Sequence, residues 1–392
     1  MINNLNNYFD YAATTPMHPR VVTAMYDFMK DDNYFSNAQA THMKGVEVNK
    51  LIQQKTDDIY NVLGVRSHDL YITSGATESI NWVLRSFRKQ AQEKPRRILS
   101  SRLEHKATTE VLKSLNKIDY IEYIETQSDG ATDLNHLELL LKTGADLVSI
   151  MHVNNEIGVI NDIEKISFLC KEKGVAFHVD ASQSVGKLAL EVVFKYADFI
   201  TVSGHKFYGP KGIGGLFVSR EHSLTPFMYG GGNYLRPGTI ATHQVVGFAE
   251  AFSLISELES DANRIKELSF DFREKLKEID GLTVVADSLA KVPHIMSITI
   301  PGVQSKVLQK VVQPYAISLG SSCNSTQEET SQVLRTMGLS DGLAASTFRL
   351  SFGLYTEKES LNNFFNLLSL ESKKLRLLSK GAPGWCQKGQ NA

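Results

Sequence analysis

VSGHKFYGPKGIG, at residues 202–214, joins a strand-like apolar run to a glycine-rich turn and places Lys206 between them. Most lysines in proteins are solvated on the surface. This one follows a run of buried-strand character and precedes glycines, which allow the backbone to approach a ligand closely. Burial lowers the pKa of a lysine and makes its amine a nucleophile that forms Schiff bases with carbonyl groups. The position of Lys206 therefore predicts a chemical role.

Short β-rich runs alternate with helical stretches on both sides of Lys206, from Asp69 to Ser219. One amphipathic helix among them, IEKISFLCKEKG, carries Ile163, Ile166 and Cys170 on one face. Such alternation predicts an α/β fold with βαβ crossovers and a mostly parallel sheet. The strand candidates are LYITSG (70–75), RILSS (97–101), YIEYIE (120–125), DLVSIMH (146–152), VAFHVD (175–180), DFITVSG (198–204) and GGLFVS (214–219).

Two helical segments and a second αβ pattern surround this region. Residues 46–64 predict a long helix ended by glycine, and residues 241–279 predict one continuous helix with a charged face. The pattern that follows predicts a smaller C-terminal α/β domain, with helices near 304–313 and 326–337 and from Glu357. Its strand candidates are LTVVAD, HIMSITIPG, AISLGSSC and FRLSFGLYT.

Composition narrows the class of protein. The 392 residues are 42% hydrophobic and 22% charged, with a formal net charge of −1, so we expect no direct binding to nucleic acid, which requires a basic excess. No apolar run reaches membrane-spanning length, and the polar start of the chain predicts no secretory signal. The three cysteines form no CxxC pair and no disulfide framework, which favours a reducing cytoplasm.

Polar residues follow several predicted strands, at the edge of an open α/β sheet where ligands bind. Gly75-Ala76-Thr77-Glu78 opens a helix whose free N–H groups and positive dipole end can hold a phosphate. A plain N-cap at Thr77 explains the same residues equally well. His105 and Asn155 follow two other strands, where a structural histidine and a turn-forming asparagine are the common alternatives.

Asp180 ends the core run VAFHV, and a carboxylate there needs a partner; capping the next turn is the alternative. An aspartate on one strand and Lys206 on the next fit pyridoxal phosphate. The lysine holds the aldehyde, the aspartate holds the protonated pyridine nitrogen and a helix N-terminus holds the phosphate. The glycines after Lys206 are spaced GxxGxGG, which disfavours a nucleotide loop, and we expect no metal.

The three cysteines differ in their surroundings. Cys323 lies in a Gly/Ser/Asn-rich stretch before a predicted helix, where an accessible thiol suggests use. Cys170 is expected in the core, and Cys386 lies in a locally basic tail. Arg349, in TFRLSFG, could clamp a carboxylate with its guanidinium fork, although a surface strand residue is the plain alternative.

These segments together resemble the cysteine desulfurases, a fold-type I, class V aminotransferase-like family, from Tyr8 to about Leu368. The lysine and aspartate segments indicate the superfamily, and the cysteine segment selects the desulfurases. The resemblance implies a large domain at 16–259, with a seven-stranded mostly parallel sheet between helices. It implies a small α/β domain formed by 1–15 and 260–392. The segments that carry it are YFDYAATTP, SGATESIN, EHKA, NNEIGVI, HVDASQSVG, TVSGHKFYGPKGIGGLFV, GSSC and FRLSFG.

The resemblance also implies a role for each site residue. Lys206 forms the Schiff base with pyridoxal 5′-phosphate, His105 stacks on its ring and moves protons, and Cys323 accepts sulfur. Asp180 pairs with the pyridine nitrogen, and Gln183 donates to the ring hydroxyl. Two further groups bind the phosphate and the substrate carboxylate: Ala76, Thr77, Ser203 and His205 for the first, Asn155 and Arg349 for the second.

The implied reaction converts L-cysteine to L-alanine and leaves a persulfide on Cys323 for a sulfur-acceptor protein. Iron–sulfur assembly, tRNA thiolation and DNA phosphorothioation all stay open as its destination. Thr239 would reach the phosphate of the neighbouring subunit, which implies a homodimer, and the short segment GGGNYLRPGT (230–239) is a place for partner specificity. The alternatives are a selenocysteine lyase, another class V enzyme, or a catalytically silent sulfur-transfer scaffold.

Overall fold

The computed structural model describes residues 5–87, 94–231, 235–287, 290–319 and 330–381. Within these ranges the strands form two sheets, one of seven strands and one of four. The larger sheet consists of β1 His68–Thr73, β2 Arg97–Ser101, β3 Tyr120–Ile124, β4 Leu147–Met151, β5 Ala176–Asp180, β6 Phe199–Ser203 and β7 Gly214–Ser219.

The larger sheet has the order β1-β7-β6-β5-β4-β2-β3. Strands β3, β2, β4, β5 and β6 are parallel, whereas β7 runs antiparallel to both β6 and β1. The predicted α/β fold with a mostly parallel sheet is therefore confirmed. Strands β4, β5 and β6 are buried at every position, which agrees with their near-continuous apolar sequence.

Helices connect and flank these strands. Each of α5 and α6 begins after an aspartate, Asp133 or Asp162, whose carboxylate accepts N–H groups of the first turn. Helix α2 ends at Gly64 in the left-handed region, as its sequence predicted. The helices of this part are α1 Pro19–Lys30, α2 Met43–Leu63, α3 Ala76–Ser86, α4 Lys106–Leu115, α5 Leu134–Leu141, α6 Ile163–Glu172 and α7 Glu191–Tyr196.

The predicted continuous helix at 241–279 is wrong. Two helices, α8 Thr242–Ser253 and α9 Ile255–Leu276, meet at Leu254, whose N–H donates to the carbonyls of Ala251 and Phe252. Helix α8 is buried over most of its length, whereas α9 buries one stripe and exposes a charged face. The two burial patterns join at Leu254, within a stretch whose local pattern predicts a continuous helix.

The smaller sheet is antiparallel, in the order β10-β11-β9-β8, and belongs to the second αβ pattern. The predicted helix near 326–337 is described only from residue 330 and contributes α11; α12 was not expected. The elements are β8 Thr283–Val284, β9 Ile295–Thr299, α10 Ser305–Val311, β10 Ser318–Leu319, α11 Gln332–Thr336, α12 Asp341–Ala345, β11 Thr347–Ser351 and α13 Lys358–Gly381.

The N-terminal segment connects the two sheets. Phe9 is buried in the apolar cluster beside the smaller sheet, and Tyr11 is buried in the cluster beside the larger one. Tyr8 and Asp10 form parallel bridges with Ala316 and Ser351. Among the helices of the described residues, none combines the length and apolar composition needed to cross a bilayer.

Candidate active site

A cavity of about 520 Å³ opens where β5 and β6 end, between them and the first turns of α3 and α4. Its volume suits a cofactor with a small substrate. The cavity brings together nine of the residues predicted from the sequence: Ala76, Thr77, His105, Asn155, Asp180, Gln183, Ser203, His205 and Lys206.

Lys206 ends the short 3₁₀ turn Gly204–Lys206 that follows β6. Its Nζ atom donates to the carbonyl oxygens of Ala12, at 2.6 Å, and Ala13, at 2.8 Å. The amine is thus held against the N-terminal segment at the wall of the cavity. The predicted alternative, a solvated surface lysine, is wrong because the side chain is half-buried and bonded to backbone.

The glycines around Lys206 allow backbone segments to touch each other. A Cβ atom on Gly209 would lie 2.8 Å from the carbonyl oxygen of Gly204, and one on Gly214 would lie 2.7 Å from the Cα atom of Gly75. No side chain fits at such distances. Glycine at these positions therefore allows close packing within the lysine turn, and between the start of β7 and the start of α3. From the sequence, we interpreted the same glycines as room for a ligand.

Asp180 ends β5 beside the lysine turn and is buried. Its Oδ1 atom accepts the N–H of Ser182 at 2.9 Å. Gln183 is also buried; its Nε2 atom donates to the Ala12 carbonyl at 2.8 Å, and its Oε1 atom accepts from Lys187 Nζ at 3.1 Å. Burial, followed by the charges of Lys206 and Arg349, lowers the pKa of Lys187 to about 7. Sequence reasoning missed Lys187, although it lies four residues after Gln183.

The first turn of α3 presents backbone N–H groups to the cavity. Gly75 is the N-cap and no side chain caps the helix, so the alternative of an N-cap at Thr77 is wrong. Glu78 accepts the N–H of Ser74 at 2.8 Å and pairs with Arg236, whose Nε lies 2.9 Å from Oε1. Although burial opposes it, these hydrogen bonds lower the pKa of Glu78. Arg236 was not predicted to act here.

His205 faces Thr14, with 3.1 Å between Nδ1 and the threonine Oγ1 atom. Burial is the main cause that lowers the pKa of His205 to about 4, and the charges of Lys206, Lys211 and Lys187 add to it. The imidazole is therefore neutral at pH 7 and can donate one hydrogen bond. Ser203, at the end of β6, lines the same side of the cavity.

His105 caps α4, and its Nδ1 atom accepts the N–H of Ala107 at 3.1 Å. Desolvation lowers the pKa of His105 against the opposing charge of Asp180, so the neutral ring leaves Nε2 for the cavity. Its neighbour Glu104 is buried; Oε1 accepts the N–H of Met151, whereas Oε2 has no hydrogen-bond partner among the described residues. Burial raises the pKa of Glu104, a carboxyl that the sequence did not predict to matter, well above its usual range.

Arg349 lies in β11 and supports the cavity from behind. Its Nη1 atom donates to the Asn155 carbonyl at 2.6 Å, and its Nη2 atom pairs with Asp10 Oδ1 at 2.7 Å. The surface alternative is wrong, because only 6% of Arg349 is exposed. Asn155 lines the cavity and Arg349 does not. The Nε atom of Arg349 is buried without a partner in the described part of the chain.

The two remaining predicted residues are Thr239 and Cys323. Thr239 is exposed and lines a neighbouring cavity of about 360 Å³, which shares Ser74 and Gly212 with the first one. Cys323 lies outside the described residues. Cys170 is fully buried on α6, as predicted, and burial raises the pKa of its thiol far above the usual range.

The residues present fit pyridoxal phosphate. An amine and a carboxylate leave neighbouring strands, and an uncapped helix start of small residues lies across the cavity from them. The buried hydroxyl of Ser182 lines the cavity and has no hydrogen-bond partner within the described ranges, so a polar ligand would satisfy it. Carboxylate, amine and free N–H groups are the donor set that this cofactor needs.

Comparison with known proteins agrees with this chemistry. The aminotransferase class-V family matches residues 7–364. The chain is 37% identical over 379 residues to "Cysteine desulfurase IscS" of Shewanella sp. (strain ANA-3), covering 95% of this chain and 94% of that protein. A solved "NIFS-like protein" has a TM-score of 0.85 at 30% identity and covers 94% of this chain and 100% of its own. "SspA in complex with cysteine" has a TM-score of 0.77 at 30% identity, over 90% of this chain and 100% of its own.

Proposed function

Because this chain belongs to the aminotransferase class-V family and is a cysteine desulfurase that uses pyridoxal 5′-phosphate, we propose that Lys206 and Asp180 hold the cofactor and that Cys323 receives the sulfur. The family, the fold and the enzyme class predicted from the sequence are confirmed. One observation carries the residue assignment: Lys206 and Asp180 follow neighbouring strands into one cavity, beside the free N–H groups of α3.

The proposed cofactor contacts follow the walls of the cavity. Lys206 would hold the aldehyde carbon, and Asp180 would face the pyridine nitrogen and keep it protonated. Gln183 would exchange its bond to the Ala12 carbonyl for one to the ring hydroxyl. When bound, the cofactor supplies an electron-accepting ring that weakens the bonds around the α and β carbons of the amino acid. The phosphate would lie against the residues named for it: Ala76, Thr77, Ser203 and His205.

Lys206 and His105 are the proposed proton carriers. The Lys206 amine would take the α-proton of L-cysteine, a task for which its half-buried position beside neutral carbonyls is suited. Because Nδ1 accepts the Ala107 N–H, the neutral His105 ring carries its proton on Nε2, which would donate to a thiolate in the cavity and stabilise that charged form. This matters because an ordinary thiol, with a pKa near 8.5, is only a few per cent ionised at pH 7 (about 3%).

In the proposed sulfur-transfer step, one bond to the substrate sulfur forms as another breaks. The Sγ atom of Cys323, as a thiolate, attacks the sulfur of the substrate; the new S–S bond forms as the Cβ–S bond of the substrate breaks. The electron pair of that bond stays with the carbon skeleton, which gains protons and leaves as L-alanine. Asn155 would contact the substrate carboxylate, with Arg349 behind it supplying positive charge and fixing its backbone.

We propose a homodimer with shared sites. Helix α1 exposes Val22, Tyr26 and Met29, and the next segment exposes Phe35 and Met43. Such an apolar surface is typical of an interface. Thr239, at the mouth of the neighbouring cavity, would then reach the site of the partner. Sedimentation should give a dimer, and Tyr26→Glu with Met29→Glu should shift it to monomer and weaken cofactor binding.

The proposed reaction takes place in a reducing cytoplasm and ends on an acceptor protein. Iron–sulfur assembly, tRNA thiolation and DNA phosphorothioation remain the candidate destinations. Isolation of the native protein after a pulse of cysteine, followed by identification of newly persulfidated partners, would separate them.

Alkylation trapping after addition of L-cysteine tests the assignment of Cys323. Mass spectrometry should find one extra sulfur on Cys323 in the wild type and none on the Cys323→Ala variant, which should also lose alanine production. Cys170→Ala is the matched control, because that thiol is fully buried, and it should keep both. Full desulfurase turnover in Cys323→Ala would favour the lyase alternative. A purified protein that binds no cofactor would favour the silent scaffold.

A further inference from the structure

A carboxylate beside the cavity holds the segment that follows Cys323. Ser331 Oγ donates to Glu156 Oε2 at 2.5 Å, and the same hydroxyl accepts the N–H of Leu334 as the N-cap of α11. Ser331 is buried, with 3% of its surface exposed, and lies eight residues after Cys323. The contact thus joins the end of the cysteine-bearing segment to the wall of the active site.

Glu156 is itself fixed within the NNEIG turn. Its N–H donates to Asn154 Oδ1 at 2.8 Å, and its carbonyl accepts from Ser297 Oγ at 2.7 Å. The preceding residue, Asn155, lines the cavity, and its carbonyl accepts from Arg349. The backbone that carries the Glu156 carboxylate is therefore fixed and continuous with the cavity wall.

Apolar packing supports the same contact. Val333 and Leu334 of α11 belong to one buried cluster with Leu103, which precedes the His105 segment, and with Ile157 and Val159, which follow Glu156. The start of α11 is therefore seated on both strand-end segments that form this side of the cavity.

We propose that Glu156 is a positioning residue for sulfur transfer, which fixes Ser331 and thereby sets where the chain bearing Cys323 begins its return to the active site. The inference rests on the proposed function, in which Cys323 accepts the sulfur. Glu156 does not line the cavity, so it should act on the transfer step and not on the binding of L-cysteine.

A double-mutant cycle with Glu156→Ala and Ser331→Ala tests this role in the full-length holoenzyme. Two quantities are measured: the dissociation constant of L-cysteine, from the change in cofactor absorbance, and the single-turnover rate of persulfide formation on Cys323 at saturating L-cysteine. Each single variant should slow persulfide formation by about tenfold, the effect of one hydrogen bond to a charged group. The double variant should be no slower than Ser331→Ala, because that variant already lacks the contact with Glu156 together with the cap of α11.

Conservative and control variants separate positioning from general damage. Glu156→Gln and Ser331→Thr keep an acceptor and a hydroxyl, and should retain most of the rate. Ser305→Ala is the matched control. Ser305 begins α10, and its buried hydroxyl donates to the Ala345 carbonyl; removing it should leave the rate unchanged.

Additive losses in the double variant, or a weakening of cysteine binding equal to the loss in rate, would overturn the proposal, as would unchanged rates. If Glu156→Ala fails to fold, Ser331→Ala against Ser331→Thr carries the same comparison. Failure of the proposed function would look different: the wild-type protein would then place no sulfur on Cys323, whatever residue stands at position 156.

Discussion

The two sides of the candidate active-site cavity, which we propose hold the cofactor and the substrate, are built in different ways. On the cofactor side, Asp180 and Lys206 leave adjacent strands of one sheet, so neighbouring hydrogen-bond ladders set their separation. On the substrate side, Arg349 of the smaller sheet reaches the Asn155 carbonyl and Asp10, and Ser331 reaches Glu156. The separation of Asp180 and Lys206 is thus set by a continuous sheet, whereas Arg349 and Ser331 are placed by contacts between parts of the chain that lie far apart in sequence.

This difference teaches where function is sensitive to small movements. A strand end in a fully buried sheet cannot move without breaking its ladder, so the cofactor side should respond mainly to loss of a chemical group. The substrate side should respond to changes of shape and length as well, because single hydrogen bonds hold it.

The largest effect is expected from loss of the amine on the cofactor side. Lys206→Ala should lower desulfurase turnover by about 10³-fold or more, because it removes both the cofactor attachment and a proton carrier. The variant should also lose the visible absorbance of the bound cofactor, with the far-UV spectrum unchanged. Lys113→Ala, at an exposed ion pair with Glu110, is the control and should retain both. A Lys206→Ala protein with normal turnover would contradict the assignment.

The second prediction concerns the substrate side and changes the shape of one side chain while keeping its charge. Arg349→Lys keeps the charge but cannot reach Asp10 and the Asn155 carbonyl together, so KM for L-cysteine should rise by roughly 10- to 100-fold. Arg97→Lys is the matched control, since Arg97 also joins a carboxylate, Glu122, to a backbone carbonyl, that of Leu140, but at the other end of the sheet. It should reduce thermal stability and leave KM unchanged. Equal KM changes in both variants would remove the contrast between the two sides.

A smaller effect is expected at the start of α3. Arg236→Gln leaves the Glu78 carboxylate, 8% exposed, without its ion pair beside the proposed phosphate site. The freed negative charge should weaken cofactor binding by roughly 5- to 30-fold, the effect of about 1–2 kcal/mol, as measured by equilibrium dialysis. Arg85→Gln, on the same helix but bonded to Asn81 and Ser114, should not change it. The prediction fails if the two variants bind the cofactor equally.

The smallest effect is a pH dependence on the substrate side. Burial raises the pKa of Glu156 to about 7, against the Ser331 hydrogen bond and the charges of Arg349 and Lys106. Ionisation of the buried Glu156 carboxylate therefore lowers the free energy of unfolding. This loss is absent below about pH 4.5, grows between pH 4.5 and 7, and is complete above pH 7. Glu156→Gln should raise the melting temperature by roughly 1–3 °C at pH 8 and by less at pH 5. An equal shift at both values would show that the carboxylate does not titrate in this range.

The same contrast explains what the sequence could predict. Strands β2 and β7 were predicted with their observed bounds, and the residues at strand ends were placed in one cavity, because parallel strands bring their carboxyl ends to a common edge. Glu78–Arg236 and Arg349–Asp10 were missed as pairs. Their partners lie 158 and 339 positions apart, and no local periodicity reports a contact across that distance.

The burial of individual carboxyl groups is the second property that the local sequence pattern does not predict. Glu104 and Glu156 stood within quoted motifs, EHKA and NNEIGVI, yet their significance lies in being carboxyls surrounded by protein. The break at Leu254 was missed for a related reason: the local pattern on both sides predicts helix, and the change from the mostly buried α8 to the one-sided burial of α9 comes from tertiary packing.

The contacts of the N-terminal segment set an order in which parts of the protein can fold during synthesis. Lys206 rests on the carbonyls of Ala12 and Ala13, while the Ala12 N–H donates to the Ser351 hydroxyl, 339 positions later. At ribosomal speeds, synthesis of that interval takes on the order of half a minute. Ala12 and Ala13 must therefore wait until Ser351 has been synthesised before all their contacts can form, and a nascent chain cannot complete the surroundings of the Lys206 amine before then.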